Sequence, residues 1–189
     1  MPTTATQRLS HQPRTTVPHR HVAPGAEMPD EQSDEPVANA SVPDLAALAR
    51  QFEFIVPEAV LPNLQATKPH EAIRALLGSL VEAGAVPEAS QHDLLSCVLR
   101  REEMAPTAVG CGVAIPHTKH QAVTKLVGTI GYCREGIEFD SIDGKPVHLV
   151  FLLVSPHGNP ADYLRAMQAV SRYLLSADSR AWSPPPRPE

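Results

Sequence analysis

At 189 residues the chain is long enough for one domain of the usual ~100–200 residues. Its composition is 42% hydrophobic and 20% charged with a formal net charge of -5, and residues 44–182 hold 12 Lys and Arg against 15 Asp and Glu, which argues against a nucleic-acid partner. The longest uninterrupted apolar run, Leu149–Val154, falls far short of the ~20 residues a membrane helix needs.

Seven of the 20 prolines lie in residues 1–43 and four in Pro184–Pro188, so the foldable part is expected between them. Residues 1–43 mix Thr, Ser, Pro and His before turning acidic, with too few large apolar side chains to offset the entropy of ordering; a disordered tail is expected there. No short apolar segment follows the N-terminal arginines, so no secretory signal is expected. Three cysteines, Cys97, Cys111 and Cys133, cannot form a closed disulfide framework and include no C-x-x-C pair. A reducing, cytoplasmic setting fits them.

Asp44 is suited to cap a short helix carrying Leu45, Leu48 and Ala49. Ile73, Leu76, Leu77, Leu80 and Val81 then fall on one helical face, with Thr67 as the expected cap, Pro69 in the first turn and Gly84 as the stop. Ser90 and Asp93 resemble a capping box, and Leu94, Leu95, Val98 and Leu99 make a second amphipathic helix expected to end near Arg100 or Arg101. Val113–Ile115 is a short strand signal followed by Pro116, which favours extended backbone before it and places His117 at the end of that strand.

Leu126–Cys133 reads as a strand whose two glycines signal close backbone approach. Asp143-Gly144 is a turn signal between Ile137–Phe139 and Val147–Val154, and the latter is apolar on both faces apart from His148, as an interior strand should be. Asn159-Pro160-Ala161-Asp162 supplies the start of a last helix through Leu164, Met167, Val170 and Leu174. The pattern predicts an α/β fold: a mixed sheet flanked by helices on both faces, in a single domain with disordered termini. The expected boundaries are a tail at 1–43, the folded domain at 44–182 and a Pro-rich tail at 183–189.

Of nine histidines, His11, His19 and His21 lie in the tail, His70 and His92 in first turns, His148 inside an apolar strand and His157 in the loop after it. His117 differs, because Gly110, Gly112 and Pro116 frame it at a sheet margin. His117, His120 and Cys111 offer a metal-dependent hydrolase as a weaker alternative, without a recognisable ligand spacing.

The run Arg101-Glu102-Glu103-Met104-Ala105-Pro106-Thr107-Ala108-Val109-Gly110-Cys111-Gly112-Val113-Ala114-Ile115-Pro116-His117 resembles the active-site block of the mannitol/fructose-type IIA domain of the bacterial phosphoenolpyruvate-dependent sugar phosphotransferase system, a family that includes nitrogen-regulatory IIA proteins. The likeness extends over about 44–176, through Lys68–Glu82 upstream and through Gly136-Ile137, Asp143–Val147 and Tyr163–Leu175 downstream. The resemblance implies that His117 accepts a phosphoryl group from a phosphorylated histidine-containing carrier protein. It then passes the group to a IIB domain in sugar uptake or uses it as a regulatory signal. Arg101 is implied as donor to the phosphoryl oxygens, and neither cofactor nor metal is implied. A neutral imidazole with a pKa near ~6.5 has a lone pair free to attack phosphorus, and a guanidinium forks onto two oxygens at once.

Two departures stand out. Tyr163 occupies the position where the family usually carries a second histidine, with Arg165 nearby as a cation that would compensate. The family continues with a further helical region where this chain runs into prolines, which implies a C-terminally shortened domain. These departures favour, as the alternative, a non-catalytic IIA-like regulatory binding module.

Overall fold

The computed structural model describes residues 43–158 and 160–175. The tails expected at 1–43 and 183–189 lie outside the described residues except for Pro43, as does the Asn159 helix cap. Among the described residues no helix is long and apolar enough to cross a membrane.

Helix α1 spans Leu45–Ala49, and Asp44 caps it by accepting from the Ala47 N–H at 2.9 Å. Helix α2 spans Pro69–Glu82 and buries Ile73, Leu76, Leu77 and Leu80 on one face. Its cap is Lys68, not Thr67: the Glu71 carboxylate accepts from the backbone N–H groups of Thr67 (2.8 Å) and Lys68 (3.1 Å), so the third helical residue satisfies the entering chain. Gly84 ends the turn at φ +71°.

Helix α3 spans Gln91–Met104, a full turn beyond the expected end, because Glu102, Glu103 and Met104 are good helix formers and the chain leaves the helix only before Pro106. The Ser90–Asp93 capping box does not form: Ser90 makes no side-chain cap bond, and Asp93 is engaged elsewhere.

Five strands follow in one mixed sheet: β1 (Ala108–Gly110), β2 (Val113–Ala114), β3 (His117–Lys119), β4 (Val127–Ile137) and β5 (Val147–Ser155). Strand β5 is central, parallel to β2 and β3 along one edge and antiparallel to β4 along the other. All nine of its residues are buried. Its side chains alternate between two cores, as period-2 geometry requires: Val150, Leu152 and Val154 face α2 and α3, while Leu149, Phe151 and Leu153 face α1 and α4 (Pro160–Leu175). Helices therefore cover both faces of the sheet.

His117 does not end the strand begun at Val113; it opens a new one. β2 pairs with Leu149–Val150 and β3 with Leu153–Ser155, so the two are collinear pieces of one edge interrupted at Ile115-Pro116. Pro116 has no N–H for a ladder, though its carbonyl still accepts from the Leu153 N–H at 3.0 Å. β1 and β2 form a hairpin that the sequence pattern does not announce, turning through Cys111 (φ 53°) and Gly112 (φ 74°).

The free edge of β4 is covered by residues 54–64, whose backbone exchanges hydrogen bonds with Gly128, Ile130 and Tyr132. Gly128 lies beneath that crossing, where a Cβ would meet the Leu152 carbonyl oxygen at 2.9 Å and Leu153 Cδ2 at 2.7 Å. Gly78, inside α2, has nothing closer than Gln91 Nε2 at 3.9 Å. Gly128→Ala should therefore lower unfolding stability by ~1–3 kcal/mol through overpacking. Gly78→Ala should raise it by ~0.5–1 kcal/mol through helix propensity. Urea titration of the two variants checks both signs.

Candidate functional site

The break between β2 and β3 turns the Ile115 carbonyl back onto the His117 ring, where it accepts from Nδ1 at 2.8 Å. That bond places the ring proton on Nδ1 and leaves the Nε2 lone pair uncommitted. His117 is partly buried rather than walled off. Burial, the largest cause, lowers its pKa from the ordinary 6.5; the Ile115 bond opposes this, Arg101 lowers it further and Glu102 raises it. A neutral imidazole at physiological pH follows.

Arg101 stands one turn before the end of α3, and its Nη1 donates to the Ala105 carbonyl at 2.6 Å. This bond ties the guanidinium to the loop that leads into β1. Its positive charge reaches both His117 and Tyr163, and the neighbouring Arg100 is exposed. Glu102 beside it turns into the same loop, accepting from the Thr107 N–H at 2.9 Å and from Thr107 Oγ1 at 2.5 Å. The carboxylate is thereby committed to loop geometry, a role legible in sequence only as an acid five residues before a threonine.

Tyr163, in the first turns of α4, packs its ring against His117 with centroids 5.3 Å apart at 45°. Burial raises the pKa of its phenol, and Arg101 opposes that. The hydroxyl is thus a proton donor throughout the neutral range. Lys119, missed by sequence reasoning, lies two residues along β3 from His117, with Nζ 5.7 Å from the centroid of the same tyrosine ring. Arg165 pairs with Asp162 at 3.3 Å instead of taking the place of a second histidine.

The other histidines separate by environment. His148 is buried, with Nδ1 3.0 Å from the Cys133 carbonyl, inside β5 as expected of a structural residue. His120 is buried with Nε2 2.9 Å from Asp93 Oδ2, and its Nδ1 accepts from the Ala122 N–H at 3.0 Å. It pins β3 to α3.

The groups placed to hold a cation among the described residues are Asp93, Cys97 and His120, with ligand atoms within 4.8 Å of one another; His117 and Cys111 are not among them. A cation there would have to displace the hydrogen bonds that occupy both nitrogens of His120. All three cysteines are free.

A profile of the family described as "Phosphoenolpyruvate-dependent sugar phosphotransferase system, EIIA 2" matches residues 53–181. The chain belongs to this family. Relatives of this IIA chain include a nitrogen regulatory protein of Bradyrhizobium diazoefficiens, 38% identical over 126 residues that make up 67% of this chain and 80% of that one. A fructose-specific EIIA component of the phosphotransferase system of Haloferax volcanii is 39% identical over 109 residues, 58% of this chain and 70% of its own. Among solved structures, the nitrogen regulatory protein IIA-Ntr of Neisseria meningitidis superposes with a TM-score of 0.61 at 26% identity, covering 68% of this chain and 86% of that one. The mixed sheet with helices on both faces is thus the IIA fold, in a family with sugar-specific and nitrogen-regulatory members.

The electrostatics of His117 can be read directly by NMR titration. Its midpoint should fall below 6.5; Arg101→Gln should raise it and Glu102→Gln lower it further. Because the folded value lies below the unfolded one, the unfolded chain binds the proton first. The stability contributed by neutral His117 is complete above ~6.5 and is lost as pH falls from there through the lower folded value.

Proposed function

We propose that this IIA domain is a phosphoryl carrier in which His117 Nε2 is the acceptor atom. The observation that carries the reading is the Nδ1 bond to the Ile115 carbonyl on a partly exposed, depressed-pKa ring, within the field of a fixed guanidinium. A phosphorylated histidine-containing carrier protein is the donor. The Nε2 lone pair forms the new N–P bond while the donor's P–N bond breaks and its electron pair returns to the donor imidazole.

His117 then carries Nε2–PO3 with its Nδ1–H still donating to Ile115. Onward transfer reverses the bookkeeping: the P–N electron pair returns to Nε2 and the ring leaves as neutral imidazole. Arg101 supplies positive charge to oxygens on which negative charge is spread in a loose transition state, so rate comes from position and electrostatics. The acceptor beyond is a IIB domain or a regulatory target in the cytoplasm, which agrees with free cysteines and with relatives named for each role.

Incubation with the phosphorylated carrier should place one acid-labile, base-stable phosphate on His117, and His117→Ala should take none. Arg101→Gln should keep the fold and slow labelling by ~10²-fold, the loss typical of one transition-state donor. A label that survives in His117→Ala, or a wild-type protein that never labels, contradicts the assignment.

A further inference from the structure

We infer that Lys119 is a second cation for the phosphoryl group on His117, standing in for the imidazole that Tyr163 does not provide. The inference rests on the phosphoryl-acceptor reading of His117 and names a further residue for it.

Three observations converge. First, His117 and Lys119 are residues i and i+2 of β3, so they leave the same face of the strand about 6.6 Å apart at a rise of ~3.3 Å per residue. Lysine's four-carbon stem spans such a gap. Secondly, both side chains rest on one ring: the Tyr163 centroid is 5.3 Å from that of His117 and 5.7 Å from Lys119 Nζ. The second contact lies inside the ~6 Å reach of a cation–π interaction. Tyr163 therefore gives the ammonium a seat beside the imidazole without neutralising it.

Thirdly, Lys119 is exposed and enters no ion pair among the described residues, and it lines a cleft with Arg100, Arg101, Thr118 and His157. The one acid of that cleft, Asp93, is hydrogen-bonded to His120. Arg100 and Arg101 from α3 and Lys119 from β3 thus gather in a cleft that His117 itself does not line, and it is the Tyr163 ring, shared by both side chains, that brings the ammonium beside the imidazole.

A phosphoryl dianion on Nε2 offers three oxygens, more than one guanidinium can hold. Paired with an ammonium, the oxygens of the resting adduct are held in one orientation with fewer approaches left to water, so Lys119 prolongs the life of the phosphorylated state until an acceptor docks in line. Where the family usually has a second histidine, lysine brings a compact ammonium with three donors on a flexible stem.

The test uses the full chain and potassium phosphoramidate, a small donor that needs no protein docking surface. Phosphorus NMR follows the signal of His117 and its hydrolysis to inorganic phosphate in wild type, Lys119→Gln, Lys119→Arg and His117→Ala. Lys119→Gln should shorten the lifetime of the label by ~10-fold or more, the loss expected for one charge-assisted hydrogen bond. Lys119→Arg should restore it to within about threefold of wild type, since guanidinium keeps the charge.

A lifetime in Lys119→Gln within twofold of wild type, with His117→Ala unlabelled, overturns the role of Lys119 and leaves His117 standing. Equal loss in Lys119→Arg and Lys119→Gln also overturns it, because charge is then not what matters. A wild-type chain that takes no label on His117 removes the acceptor reading and this inference together.

Discussion

One interruption in one sheet edge organises the site. The edge facing β5 runs as β2, halts at Ile115-Pro116, and resumes as β3. Pro116 cannot donate to the ladder, and the carbonyl of Ile115, turned out of register, meets the ring of His117. A continuous strand would send that carbonyl to a backbone partner and leave the imidazole free to choose its tautomer. Here the backbone chooses for it.

Around that ring the charges are arranged by bonds that have nothing to do with substrate. Arg101 is tethered to Ala105, Glu102 to Thr107, and His120 is held between Asp93 and Ala122. The acid nearest the arginine is thus committed to shaping the loop, and the guanidinium field falls on His117 and Tyr163. Preorganisation of this kind removes the cost of orienting dipoles as a transferring group arrives, which is where most electrostatic catalysis resides. The packing below is suited to hold it still, because β5 is buried on both faces and α2 and α3 are clamped to one of them.

Much of this was legible from residue order, and the exceptions share a cause. Helix α2 is visible because five apolar residues recur on one face, and β5 because an unbroken apolar run fits only a strand covered on both sides. The glycine frame and Pro116 single out His117, though not its place at the head of β3. The hairpin of β1 and β2 escapes notice because strands of three and two residues hold too little periodicity to register. Local capping rules misplace Thr67 by one residue, since Glu71 forms its capping box with Lys68 at the cap, and they fail at Ser90, since Asp93 bonds to His120 instead. Glu102–Thr107 and Lys119–Tyr163 depend on tertiary placement, and no spacing rule reaches them. The family resemblance, carried by the block from Arg101 to His117, agrees with the profile match and the IIA superposition.

The central claim is that the backbone holds the imidazole of His117 neutral with its proton on Nδ1. Long-range nitrogen–proton correlation NMR on uniformly 15N-labelled protein at pH 7 reads it directly. The account predicts a pyrrole-type shift for Nδ1 and a pyridine-type shift for Nε2. A protonated Nε2, or two equivalent nitrogens typical of imidazolium, would contradict it.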